Sequence, residues 1–317
     1  MVAPHLSTGG MPQYLVKQIE VLSNEYDIYC VEWGDVTGGI YVVQRNRVID
    51  MLGDKFYSLT EDKSVFIDII NDIEPSMIHF QEVPETFINS DILDIIYSND
   101  RDYSIVVTTH SSLTDPSCIK YTADRFILVS EWSKDIFDNY YKNEIDCTVW
   151  EYPIEKINYD KIDAKRELGW DLDYKHILNV GLFTSGKNQG ELFELAKHFL
   201  DEKVLFHFVG NQAVNFKEYW ESIMLNKPSN CIIHGERDDV DKFYKASDIF
   251  YFTSNFELSP LVVRESLSYG LPTFIKKLHT YKDMYDGLVT YITGDVYKNK
   301  TNVMDILYKN GNRYDYV

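Results

Sequence analysis

The stretch IFYFTSNFELSPLVVRESLSYGLP, Ile249–Pro272, decides how the chain is read. Its first six residues, IFYFTS, are mostly aromatic and β-branched, which fits a short buried strand. From Leu261 the apolar positions recur with helical spacing until Gly270 supplies a stop. Ser259 is the expected N-cap, and Pro260 stands where a first helical residue loses nothing by lacking an N–H. The amides of Leu261 and Val262 then have no partner within the helix and, with the helix dipole, form a site suited to phosphate. Glu257 falls in the loop and Glu265 in the second turn, too far apart to act on one atom. They are expected to touch different parts of one extended ligand. Carboxylates repel phosphate unless they grip hydroxyls instead, so sugar hydroxyls are their natural partners.

The same strand-to-helix alternation continues toward the N-terminus. YDIYCVEW, SMIHFQ, SIVVTTH and RFILVS read as strands, while MPQYLVKQIEVLS, VFIDIINDIE and SEWSKDIFDNYY carry apolar residues at helical steps. A less regular stretch, EYPIEKINYDKID, interrupts the pattern. A second series then runs from HILNVGLF through QGELFELAKHFL, VLFHFVG, NCIIHG and DVDKFYKASD to the quoted stretch. This βα alternation implies parallel sheets covered on both faces. The expected architecture is two doubly wound, Rossmann-like α/β domains, residues 1–155 and 156–317, facing across a cleft. Ligands of such sheets sit at the carboxyl ends of the strands.

Composition narrows the function. Lys and Arg number 31 against 50 Asp and Glu, a net charge of −19 over 317 residues. The first 150 residues carry 10 against 25, net −15, which leaves −4 for the remainder. A surface of that sign repels phosphate backbones and anionic headgroups, so neither nucleic acid nor a stable membrane partner is expected. No signal peptide or apolar run long enough for a membrane span is present, and a cytoplasmic protein is expected. Cys30, Cys118, Cys147 and Cys231 have no zinc-like or CxxC spacing and read as free thiols. The DLD at 171–173 precedes a strand rather than following one, and no metal or other cofactor is expected.

Glu257 and Glu265 match the E-x7-E motif of the family 4 retaining glycosyltransferases, which have the GT-B fold, and YKASDIFYFTSNFELSPLVVRESLSYGLP resembles that family's donor-site segment throughout. HLSTGGMPQYL looks like its first glycine loop, VVTTHSS like its histidine strand, and VGLFTSGKNQGELFELA like the opening of its second domain. The resemblance implies that Glu265 holds the ribose of a nucleotide sugar and that Glu257 contacts the transferred sugar. It implies that Lys187 neutralises the diphosphate leaving group, that His110 faces the transferred sugar, and that Gly9 and Gly10 admit the donor phosphates. Gly235 and Glu236, in GERDDV, are similar to the loop that frames the base, and Ser259, Leu261 and Val262 lie where the family binds the donor. Asp238 and Asp239 read as helix-start acids. The family commonly has arginine where Leu182 stands, with Arg264 or Arg237 as substitutes.

The expected function is transfer of a sugar from a nucleotide diphosphate sugar to an acceptor glycan or small molecule bound by the first domain, without a metal and with retention. The alternatives are a nucleotide-sugar epimerase of GT-B type and a nucleotide-sugar binding module without turnover. Base, sugar, acceptor and oligomeric state are not encoded legibly; loops such as GDVTGGIYVVQRNRV set them.

Overall fold

The computed structural model describes residues 1–7, 9–34, 43–59, 63–111, 115–212 and 214–309. Most of the GDVTGGIYVVQRNRV loop, Thr8 of the glycine loop and the tail NGNRYDYV lie outside the described residues. The chain divides into two compact units, Met1–Tyr152 and Pro153–Val317.

The first unit runs β1 (Val2–Ala3), α1 (Gly10–Leu22), β2 (Cys30–Glu32), α2 (Val43–Leu52), β3 (Phe56–Ser58), α3 (Phe66–Ile73), β4 (Met77–Phe80), α4 (Ser90–Ile96), β5 (Ser104–Thr109), β6 (Arg125–Leu128), α5 (Glu131–Tyr141) and β7 (Asp146–Val149). Its strands form one parallel sheet in the order β3-β2-β1-β4-β5-β6-β7. The pleat sends Phe80, Val107 and Phe126 to one face, where they pack with Leu93 and Phe137. Ala3 and Cys30 meet Leu15 and Ile19 of α1 on the other.

The second unit runs α6 (Lys161–Glu167), β8 (Lys175–Val180), α7 (Gln189–Lys197), β9 (Val204–Val209), α8 (Lys217–Met224), β10 (Cys231–Gly235), α9 (Val240–Ala246), β11 (Ile249–Phe252), α10 (Leu261–Ser268), β12 (Thr273–Ile275), β13 (Thr290–Tyr291) and α11 (Val296–Met304). Its parallel sheet has the order β10-β9-β8-β11-β12-β13. Phe206 and Phe208 fill one core with Phe193 and Tyr251, and Phe250 and Phe252 fill the other with Val263 and Leu267. Burying aromatic rings on both faces at 1.5–3 kcal/mol each, roughly, is what holds such a layer together. Gly210 is dictated by backbone approach: a Cβ there would lie 2.1 Å from the carbonyl oxygen of Gly181.

Strand order reverses between β1 and β4 in the first sheet and between β8 and β11 in the second. The loops leaving those strand pairs cannot cover one another, which opens a crevice at each carboxyl edge. Gly9, Gly10 and Glu82 follow the first pair, and Lys187 and Glu257 follow the second. Fold and site are thereby linked through topology.

Candidate active site

In the second unit, the loop from Gly181 to Asn188 leaves β8 and the loop from Thr253 to Pro260 leaves β11. The two are stitched together by hydrogen bonds: Asn255 N donates to Gly186 O at 2.8 Å, and the Thr253 side-chain Oγ1 donates to Lys187 O at 3.0 Å. Lys187 is steadied further by its own N–H, which donates to Thr184 Oγ1 at 3.1 Å. Its ammonium then reaches Glu257 Oε1, forming an ion pair across the strand-order reversal. The Glu257 side chain is 13% exposed and that of Lys187 32%. Ser254 Oγ donates to the same carboxylate oxygen at 2.7 Å, and Lys187 lies 5.3 Å from the centre of the Phe252 ring.

The helix following this loop starts one residue later than the sequence suggests. Pro260, not Ser259, is the N-cap, and no side chain caps the first turn of α10. Ser259 is diverted because the buried Arg264 donates to its Oγ at 3.2 Å and lies over the Tyr285 ring. The amides of Leu261 and Val262 still stand in the first turn, beyond the reach of any carbonyl within the helix. Glu265 sits one turn along, where Tyr244 donates its hydroxyl to Oε2 at 2.8 Å. Tyr244 is 2% exposed and stacks on Tyr269, so the carboxylate is oriented by a rigid ring.

Neither arginine considered as a substitute at position 182 is a loose cation. Arg264 is spent on Ser259, and Arg237 forms a bidentate pair with Asp239 at 2.8 Å for both bonds. Asp239 is the N-cap residue of α9, yet its carboxylate serves Arg237 and makes no cap bond. Leu182 is 37% exposed. Gly235 closes β10 with φ 71°, and Glu236 is gripped by Asn211, which accepts from its N–H at 3.0 Å and donates to its Oε2 at 3.1 Å. Asp171 and Asp173 make a turn ahead of β8, as expected of a structural DLD.

In the first unit, Gly9 is the N-cap of α1 with φ 141°, a conformation costly for any residue with a side chain. Among the described residues, a Cβ at Gly10 would meet nothing within 4 Å. His110 directly follows β5. Its N–H donates to Glu82 Oε2 at 3.3 Å, its Nε2 lies 3.3 Å from Gln81 Oε1, and its ring packs edge-on against Tyr14 at 5.1 Å. Burial pushes the imidazole down to about 3, so it is neutral at any working pH. Burial also pushes the Glu82 carboxyl up to about 7, partly offset by the amides of His110, Val83 and Ser111. Its Oε1 is buried without a hydrogen bond among the described residues.

Sequence reasoning missed Ser254, Tyr244, Gln81 and Glu82. The last two were findable as polar residues immediately after a strand, whereas Tyr244 looks like any apolar-face residue of α9. An apolar crevice of about 570 Å³ beside Met1, Tyr29, Met77 and Arg125 lies at the amino ends of the strands, remote from these loops.

Residues 160–306 match the family model of the glycosyl transferases group 1. The UDP-Gal:alpha-D-GlcNAc-diphosphoundecaprenol alpha-1,3-galactosyltransferase of Escherichia coli is 26% identical over 147 residues, which cover 41% of this chain and 38% of that protein. An uncharacterized glycosyltransferase of Haemophilus influenzae is 23% identical over 286 residues, 84% of this chain and 76% of that one. Among solved structures, Anabaena HepE in complex with UDP and glucose superposes with a TM-score of 0.74 at 13% identity, covering 97% of this chain and 89% of HepE. WaaG, a glycosyltransferase involved in lipopolysaccharide biosynthesis, gives 0.65 at 14% identity, with coverages of 97% and 90%. Residues 160–306 are therefore similar to the glycosyl transferases group 1, and the fold of the chain is that of the solved glycosyltransferases on which it superposes.

Proposed function

We propose that the protein transfers a sugar from a nucleotide diphosphate sugar to a hydroxyl of an acceptor glycan or small molecule, without a metal and with retention of configuration. The observation that carries this reading is the Lys187–Glu257 ion pair on the loops flanking the amino terminus of α10. A diphosphate seated there takes the Lys187 ammonium and the amides of Leu261 and Val262. Glu257, released from lysine, accepts a hydroxyl of the transferred sugar, and Glu265, aimed by Tyr244, accepts the ribose hydroxyls.

As the bond between the anomeric carbon and the leaving oxygen breaks, its electron pair moves onto the diphosphate, and fixed cationic and N–H groups stabilise that charge more than the ground state. The acceptor oxygen bonds to the anomeric carbon from the same face, and its proton passes to the departing phosphate. Gly9, Gly10, Gly235 and Glu236 bound the donor, and the neutral His110 offers the sugar a hydrogen bond rather than a charge. The first unit takes the acceptor, and a nucleotide-sugar donor fits a cytoplasmic setting.

HepE holds UDP and the E. coli relative is named for UDP-Gal, so uridine donors come first in a thermal-shift screen of UDP, GDP, ADP and their sugars. With the best donor, Lys187→Ala should lower kcat by on the order of 10² or more and weaken donor binding. An unchanged kcat would place the diphosphate elsewhere.

A further inference from the structure

We propose that Gln81 is a positioning residue for His110. Its side-chain carbonyl holds the imidazole as the Nε2–H tautomer and leaves Nδ1 as a hydrogen-bond acceptor for a ligand hydroxyl. The inference rests on the transfer reading only for the nature of that ligand, a sugar.

Gln81 is fully buried one residue beyond β4, and its two amide ends face different neighbours. The NH2 end donates to Gln18 Oε1 of α1 at 2.8 Å and lies 3.4 Å from His79 Nε2. The carbonyl end lies 3.3 Å from His110 Nε2. An amide oxygen can only accept, so the nitrogen facing it must carry the proton. A neutral imidazole has one N–H, and burial keeps His110 neutral, so Nδ1 holds a lone pair. Among the described residues Nδ1 makes no hydrogen bond.

The ring is also held from turning. Tyr14 packs edge-on against it at an interplanar angle of 75°, and the Tyr14 hydroxyl is tied to Trp150 O at 3.1 Å. Glu82 Oε2 accepts the main-chain N–H of His110, which fixes the backbone from which the ring projects. His79, the neighbouring imidazole, is likewise neutral through burial, and its Nε2 lies 2.7 Å from Thr108 Oγ1. His79 of β4, Glu82 just past β4 and Tyr14 of α1 are the titratable groups facing the pair, and the amino terminus of Met1 is the positive group that acts on His79. A hydroxyl that donates to Nδ1 therefore meets a neutral, oriented acceptor, suited to a polyol and indifferent to a phosphate.

The test is the ring-nitrogen spectrum of the full chain labelled with 15N histidine, with the His110 signals identified by their loss in His110→Asn. From pH 5 to 8 the wild type should show a neutral imidazole with Nε2 protonated and Nδ1 bare. A proton on Nδ1, or titration within that range, overturns the inference without any variant being made. In Gln81→Leu the preference should vanish into a tautomer mixture; an unchanged spectrum also overturns it. Gln81→Glu keeps an acceptor at Nε2 and adds charge, so His110 should become doubly protonated within the same range and transfer should fall while UDP affinity stays. UDP-glucose should shift Nδ1 upfield where UDP alone does not. If UDP-glucose binds by thermal shift and Nδ1 does not move, the hydroxyl contact is wrong. If no sugar nucleotide binds while the tautomer stands, it is the transfer reading that fails.

Discussion

Lys187 and Glu257 are each other's counter-ion, so on the proposed reading a diphosphate draws the ammonium away from the carboxylate before both can serve a donor. That competition separates binding from turnover in a single substitution. In Glu257→Gln the lysine is released, and the affinity for UDP without its sugar should rise by about fivefold, the worth of one partly exposed ion pair. Transfer should fall by about 10² or more, because the sugar loses a charged hydrogen-bond partner at the reacting ring. Calorimetry with UDP and initial rates with the UDP-sugar read the two effects separately, and parallel losses in both would show that Lys187 is not held back by Glu257. At this scale the sequence was legible where chemistry leaves a residue type behind. Glu257, Lys187 and His110 stand out as charged or titratable groups in loops after strands, and Glu265 by its spacing from Glu257. Tyr244 and Ser254 do not, because their value lies in an angle and a distance that only the folded chain sets: a ring 2% exposed that aims Glu265, and a hydroxyl 2.7 Å from Glu257.

The elements show what patterning can and cannot carry. Strands β4, β5, β8, β9 and β11 were legible because each is a short run rich in apolar, β-branched or aromatic residues. β1, β3, β7, β12 and β13 were not anticipated; they are short, and a neighbouring strand supplies their hydrogen bonds. The start of α10 was misplaced for a related reason: Arg264, from within the helix, captures the Ser259 hydroxyl that would have capped it. Across β8, β9 and β10 lies a feature of sheet register alone. His176, His207 and His234 form a line of hydrogen bonds, 3.0 and 2.9 Å, roofed by the Trp170 ring stacked on the first two. Burial pushes His176 down to about 4 and His207 to about 2, so the fold refuses protons that the unfolded chain takes up near pH 6.5. The stability from this line is present above pH 6.5 and is lost as pH falls through about 4 for His176 and about 2 for His207. Urea melts at pH 6.5 and 4.5 should therefore show a pH-dependent loss in the wild type that shrinks by roughly 2 kcal/mol in His207→Phe, whatever that change does to absolute stability. Equal losses in both proteins would mean that His207 titrates normally.

At the scale of the whole molecule, each unit has its own sheet and its own pair of cores, while the charge belongs overwhelmingly to the first 150 residues, net −15 of −19. Two doubly wound units were legible because alternation of element types survives errors at every boundary. Their division after Tyr152 lies within the irregular stretch where periodicity gives no sharp edge. Residues 35–42 and 112–114 lie outside the described residues. Charge nevertheless constrains how an acceptor is met. Among the described residues no helix is long and apolar enough to cross a membrane. An anionic surface would have to recruit the protein through Lys and Arg at about 1 kcal/mol each near the headgroups. The first unit instead offers carboxylates in excess, and its Arg47, Lys55, Arg101 and Arg125 are already paired with acids. An acceptor carried on a lipid must then be recognised through its sugar rather than through the membrane around it. Sedimentation with vesicles at about 0.15 M salt, a Debye length near 8 Å, should leave the protein in the supernatant whether the vesicles are neutral or contain anionic phospholipid. Binding that strengthens as anionic lipid is added, and weakens with salt, would mean that a basic surface has been assembled against the overall charge. The acceptor would then have to be sought among anionic lipids.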